Sequence, residues 1–193
     1  MNKLLILAGP SAVGKTTVAL RIMDIEPSKF EFVRSATTRA PRGDGKDSEY
    51  IYLSDSEFRA ALQKGEMLEY TEYGEFLYGT PRSEIDRIFS EGKYPLLVLD
   101  INGVRSLKSY NGDFTAFSVY FTEELAVLDA RLYARAESDG LSEKALRNYE
   151  KRRAQNRADL SFVSERCDIF DLVLKNETVD GSASAVLKEF YLI

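Results

Sequence analysis

Eight residues near the start of the chain constrain it more than anything else: Gly9-Pro10-Ser11-Ala12-Val13-Gly14-Lys15-Thr16. They complete the pattern GxxxxGK[ST]. The run follows a compact apolar segment, Leu4 to Ala8, and precedes a stretch in which Val18, Ala19 and Ile22 share one helical face. Strand, glycine loop and helix in that order begin an α/β domain. Glycines let the backbone turn its N–H groups inward around a phosphate. The free N–H groups of the following helix point at the same oxygens. Lys15 reaches the β and γ oxygens, and the Thr16 hydroxyl is suited to Mg²⁺. Gly9, Ser11, Ala12, Val13, Gly14, Lys15, Thr16 and Thr17 therefore form the expected cradle for a nucleoside triphosphate.

Composition matters where it excludes. At 193 residues the chain suffices for one sizeable core. It has no histidine, so a histidine general base is ruled out, and its one cysteine, Cys167, forms no internal disulfide. A net charge of -5 gives no general basic surface for nucleic acid, although a local arginine cluster still binds an anion. No segment approaches the roughly 20 apolar residues of a membrane helix. The default expectation is a cytoplasmic enzyme with no membrane or nucleic-acid partner.

Beyond the loop, Phe30 to Arg34 reads as a short strand, Ser35 to Asp47 as a basic surface loop, and Tyr50 to Leu53 as a strand. Ser54-x-x-Glu57 is a capping box for a helix that stops at Gly65. Met67 to Tyr73 and Phe76 to Tyr78 flank Gly74 as a hairpin. Thr80 is expected to cap a helix that starts at Pro81 and ends at Gly92. Leu96 to Leu99, Phe114 to Phe121 and Ile169 to Leu174 read as core strands, and Thr122 as the cap of the next helix. Two long charged helices turn at Ser138-Asp139-Gly140, and Ala183 to Phe190 reads as a last helix.

Two features bear on chemistry. Asp100 ends a buried strand, where a magnesium-site carboxylate is placed in such folds; the alternative is a helix or turn cap. Arg39 and Arg42 lie three apart beside Ser35, Thr37 and Thr38. Two guanidiniums beside hydroxyls make a dianion clamp, and spacing alone fits an ordinary solvated basic loop equally well.

The ordered segments Gly9 to Thr16, Ser35 to Gly43, Ser48 to Tyr52, Gly65 to Glu69 and Tyr78-Gly79-Thr80-Pro81 resemble the guanylate kinases. The resemblance continues through Asp100, Arg135, the helix from Lys151 to Asp159, and Asn176. It implies an α/β fold: a three-layer P-loop NTPase core with a parallel sheet (residues 1–33, 81–134 and 158–193), a small mixed α/β acceptor-binding subdomain (34–80) and a helical lid (135–157), all in one domain. It implies that Arg39 and Arg42, with Tyr50 and Tyr78, grip the acceptor monophosphate. Ser35, Glu69 and Thr80 would contact guanine, and Asp100 and Asn102 would complete the acceptor site. Arg135 and Arg152 would be lid arginines, Arg157 would face the transferred group, and Asn176 would lie beside adenine. The implied reaction takes ATP with Mg²⁺, held at Thr16 and Asp100, and phosphorylates GMP, with dGMP as a second acceptor. The protein would act as a monomer or homodimer. The alternatives are another nucleoside monophosphate or phospho-sugar acceptor, or a non-catalytic module binding a phosphoprotein.

The chain departs from the family pattern in places. Ala12 replaces a glycine, and the segment Asp100-Ile101-Asn102-Gly103-Val104 is two residues short, with Asn102 where an aspartate is expected. No glycine follows Arg135, and Ser161 to Arg166 reads as an insertion.

Overall fold

The computed structural model describes residues 2–41 and 50–192. Arg42, Gly43, Ser48 and Glu49, named above, lie outside the described residues. Two sheets organise the chain: a five-stranded one in the order β2-β7-β1-β8-β9 and a four-stranded one in the order β4-β3-β6-β5. The strands are β1 (Asn2–Ala8), β2 (Phe30–Phe32), β3 (Ser35–Thr37), β4 (Tyr50–Tyr52), β5 (Met67–Tyr73), β6 (Phe76–Pro81), β7 (Tyr94–Val98), β8 (Phe114–Thr122) and β9 (Leu172–Lys175). The helices are α1 (Lys15–Ile25), α2 (Asp55–Gln63), α3 (Arg82–Ser90), α4 (Ile101–Lys108), α5 (Leu125–Ser138), α6 (Glu143–Glu165) and α7 (Val179–Leu192). The pairs β2·β7 and β8·β9 are parallel. The chain forms two compact units, Met1–Ile6 with Glu26–Ala116, and Leu7–Ile25 with Phe117–Ile193.

In the first unit, β3 pairs in parallel with β4 and antiparallel with β6, and β5 and β6 form the hairpin around Gly74. Gly74 has φ +68°, where a side chain is disfavoured. Ala36, Phe58 and Leu77 form a small separate core under this sheet, with Ile51, Leu53, Leu62 and Met67 packed against it. The capping box at α2 is complete: Ser54 accepts from the Glu57 N–H, and Glu57 accepts from the Ser54 N–H. Ser35 to Thr37 is strand rather than loop, because its buried Ala36 and Thr37 join the small core and the β6 ladder.

In the second unit, Leu7 and Ala8 are fully buried, and Val18, Ala19 and Ile22 bury the expected face of α1. On α7, Ala183, Val186, Leu187 and Phe190 are buried, as their spacing predicts.

Several boundaries differ from expectation. Thr80 lies in β6, and Pro81 is the N-cap of α3 without a side-chain cap bond. Thr122 ends β8, and Glu124 caps α5. Helix α4 matches the alternative reading of Asp100 as a helix cap; its extent to Lys108 was not expected. The segment Ser161 to Arg166 is helical: all but Arg166, the C-cap, belongs to the last turns of α6. Cys167–Ile169 is a 3₁₀ turn, so β9 begins only at Leu172.

Candidate active site

The candidate phosphate loop is built within the second unit. Gly9 leaves β1 at φ +140°, and a Cβ there would stand 2.5 Å from the Phe121 carbonyl oxygen. Only glycine allows β1 to lead into the loop at this contact with β8. Gly14 has φ +100°, and a Cβ would meet Asn176 Nδ2 at 2.5 Å. Between them Ala12 takes φ +69°, in the place where a glycine was expected.

Five consecutive loop carbonyls are each held by a side chain. Lys15 Nζ donates to Gly9 O at 2.7 Å and to Pro10 O at 2.8 Å. Asn156 Nδ2 donates to Ser11 O at 3.1 Å, Arg131 to Ala12 O at 3.2 Å, and Asn176 Nδ2 to Val13 O at 2.7 Å. With the carbonyls engaged in this way, the loop's shape is set before any phosphate arrives. Burial is the main cause of a Lys15 pKa lowered to about 8; Asp159 opposes the shift, and Arg135 and Arg152 add to it. A phosphate ligand would restore the charge.

Ion pairing separates the arginines of α5 and α6 in a way that spacing does not. Arg147 is tied to Glu143 and Arg153 to Asp129. Among the described residues no ion pair engages Arg135, Arg152 or Arg157. Arg135 and Arg152 line one cleft of about 290 Å³ between α5 and α6, together with Asn148 and Tyr149. Arg157 is exposed. Asn176 is buried; its Oδ1 accepts from Ser182 while its Nδ2 braces Val13, so one amide hydrogen is left for a ligand.

The candidate acceptor residues Ser35, Arg39, Tyr50, Glu69, Tyr78 and Thr80 lie within the first unit. The two threonines before Arg39 fasten that segment to β6. Thr37 Oγ1 donates to Leu77 O, and Thr38 Oγ1 accepts from the Leu77 N–H. Arg39, largely buried, then lies over the Tyr50 ring at 5.2 Å. Tyr50 meets Tyr78 edge-on at 6.3 Å. Ser35, Tyr50 and Tyr78 are half-buried. Thr80 Oγ1 donates to Glu69 Oε1 at 2.6 Å. Glu69 is 8% exposed, and burial raises its pKa; the Thr80 bond opposes the rise and Asp100 adds to it. A side chain at Gly103 would come within 3.3 Å of Glu69 Oε2, so the first turn of α4 closely borders this carboxylate.

Asp100 is the N-cap of α4, accepting from the Gly103 N–H at 2.8 Å, and is exposed, as is Asn102 in the first helical turn. The cap uses one carboxylate oxygen and leaves the other open. Asp100 lies in the first unit and Thr16, also exposed, in the second. Among the described residues no group of three or more acidic or cysteine side chains could hold a metal ion. A magnesium that arrives with ATP needs no such cage, since phosphates and water supply most of its ligands.

A family model described as guanylate kinase matches residues 1–191. The chain belongs to the guanylate kinase family. The guanylate kinase of Porphyromonas gingivalis is 38% identical over 137 residues, covering 70% of this chain and 73% of that protein. That of Salinibacter ruber is 34% identical over 189 residues, covering 96% and 94%. A crystal structure of guanylate kinase from Anaplasma phagocytophilum superposes with TM-score 0.68 at 22% identity, over 99% of this chain and 85% of that one, which shows the shared fold. Membership of this family makes the chain a nucleotide-binding phosphotransferase at the level of the family.

Sequence reasoning missed Arg131 and Asn156, although both hold the loop directly. Arg131 stands on a helix rich in charge, where spacing alone does not separate it from its solvated neighbours. Asn156 gave no signal, because a single asparagine on a charged helix resembles any other polar position. Among the described residues no helix is long and apolar enough to cross a membrane.

Proposed function

We propose that this guanylate kinase family member transfers the γ-phosphoryl group of MgATP to the α-phosphate of GMP, giving ADP and GDP, with dGMP as a second acceptor. An acceptor phosphate oxygen forms the new P–O bond, and the bond from the γ-phosphorus to the bridging oxygen of ADP breaks. The acceptor is already an anion, so no strong base is needed, which suits a chain without histidine. Positioning and charge neutralisation then carry the catalysis. Lys15 and the loop N–H groups hold the triphosphate, and Thr16 and Asp100 bind the magnesium that comes with it. Arg135, Arg152 and Arg157 neutralise the charge in transfer. Arg39, with Arg42, Tyr50 and Tyr78, holds the acceptor phosphate, while Ser35, Thr80 and Asn102 border the base.

The observation that carries the guanine assignment is Glu69. Its carboxylate is buried, with one hydrogen bond from Thr80 and no cation paired to it among the described residues. Guanine offers N1–H and 2-amino donors to such a group, whereas adenine offers neither and leaves it unsatisfied. Lid residues 135–157 would close over the triphosphate and keep water from it. The deciding experiment is a coupled ADP-release assay with MgATP against a panel of nucleoside monophosphates and phospho-sugars. GMP is expected far ahead of the rest. A different best acceptor would overturn the guanine assignment, and turnover with none would favour a phosphoprotein-binding module.

A further inference from the structure

Helix α6 runs for 23 residues and buries only Ala145, Asn156 and Val163. A buried asparagine on so charged a helix must use its amide somewhere. Asn156 is 0% exposed and uses it on a single residue. Its Oδ1 accepts from the Ser11 N–H at 2.7 Å, and its Nδ2 donates to Ser11 O at 3.1 Å. The planar amide reads the donor and acceptor of Ser11 as a neighbouring strand would. Both partners lie in the second unit.

The location gives this contact a consequence for the phosphate site. Arg152 stands four residues before Asn156 and so shares its helical face; Arg157 is the next residue, and Asp159 follows three on. The charges of Asp159 and Arg152 both act on Lys15, so this face of α6 lies within electrostatic reach of the loop lysine. Ser11 in turn sits midway between the two loop glycines, Gly9 and Gly14. A pin at Ser11 therefore fixes the loop and the register of the arginine-bearing helix with one side chain.

We propose that Asn156 is a positioning residue for MgATP: its amide locks the Ser11 peptide and thereby holds the phosphate loop and the arginine face of α6 in mutual register. The inference rests on the reading of residues 9–16 as the MgATP cradle. It also limits the lid. The helix is fastened at Asn156, so any movement of α6 over the triphosphate must hinge on its N-terminal side.

The test uses Asn156→Leu, which keeps the shape and removes both hydrogen bonds, and Asn156→Ala, which keeps helix propensity should the leucine variant fail to fold. Three quantities are measured on each: the Kd of MgATP, the Kd of GMP, and the hydrogen-exchange rate of the Ser11 amide in the free protein by NMR. The Kd of MgATP is expected to rise about tenfold or more, while that of GMP stays within about twofold. The Ser11 amide, slow to exchange in the parent protein, is expected to exchange fast. Unchanged MgATP binding in a folded variant would overturn the proposal, and so would parallel weakening of both ligands with a lower Tm, which marks a merely structural role. If the parent protein itself binds no MgATP, the reading of the loop fails, and the Ser11 exchange rate still decides whether the clamp exists.

Discussion

Raising the pH should release MgATP from this protein through one residue, Lys15. Burial lowers its pKa to about 8 in the free protein, helped by Arg135 and Arg152 and opposed by Asp159. A bound triphosphate places several negative charges at the ammonium and drives the pKa back up. Only the charged lysine makes that contact, so affinity follows the charged fraction of the free protein. With a free pKa of about 8, that fraction is ~0.9 at pH 7 and ~0.1 at pH 9, a loss of about tenfold in affinity. Binding near pH 8 should also take up about half a proton. Titration calorimetry in two buffers of different ionisation enthalpy reads both quantities. A Lys15→Met variant should bind weakly with no such pH dependence. The sign for the fold runs the other way from a salt bridge. The folded pKa lies below the unfolded 10.5, so the unfolded chain holds the extra proton between about pH 8 and 10.5. The penalty for burying this lysine is present below pH 8, and stability from this group rises through that window. A MgATP Kd constant within twofold from pH 7 to 9, with no proton uptake, would refute the assignment of Lys15 as the charge that meets the phosphates.

Glu69→Gln should lower kcat/KM for GMP by about ten- to a hundredfold, since a charge-assisted acceptor becomes a neutral amide, while the Kd of MgATP stays put; steady-state kinetics and calorimetry check the two. Gly14→Ala should destabilise the protein by ~2 kcal/mol or more and weaken MgATP, because φ +100° strains alanine and its Cβ meets Asn176 Nδ2 at 2.5 Å; denaturant melts measure it. Ser54→Ala removes one side of the capping box and should cost about 1 kcal/mol in the same melts, with no change in MgATP affinity.

What could be read beforehand was whatever is local. The capping box at Ser54 and Glu57, the turn at Gly74 and the face of α1 each follow from residues within one or two turns of one another, and all three appear where the spacing puts them. Thr80 shows where local logic fails. Threonine before Pro81 has the chemistry of a helix cap, but its hydroxyl goes to Glu69 on the preceding strand, eleven residues back. That partner exists only once β5 and β6 pair. Helix α4 was legible only as the alternative reading of Asp100 as a cap: Asn102 and Gly103 are poor helix formers, and the cap with the burial of Val104 and Leu107 outweighs them. The start of β9 was misplaced because Ile169 is apolar yet belongs to a 3₁₀ turn. In the site, the loop glycines were legible, whereas the bonds of Thr37 and Thr38 to Leu77 and the braces from Arg131 and Asn156 join residues far apart in sequence and leave no pattern.

The proposed reaction would bring two polyanions to an acidic chain, which raises the question of where its free positive charge is kept. Much of it is spent. In the first unit Arg34, Arg87 and Lys93 form a network with Glu31, Glu84 and Glu91, and Arg59 and Arg82 pair along their own helices. Such surface pairs contribute little to stability, but they remove cations from competition for anions. Arg39 is different: it stacks on Tyr50 and donates to the Ala40 carbonyl, so its charge meets only neutral groups in the described structure. Lys15 likewise rests on carbonyls, not carboxylates, and burial makes even that charge costly. A cation held by neutral partners keeps its charge available for an incoming phosphate, while one already bridged to a carboxylate must first break that bond. Lack of a carboxylate partner does not suffice by itself, since exposed Lys144 also has none. Half-buried Lys15 in the loop and largely buried Arg39 in the first unit differ from it in being partly withdrawn from solvent, one for each of the two phosphate groups that the proposed reaction must hold.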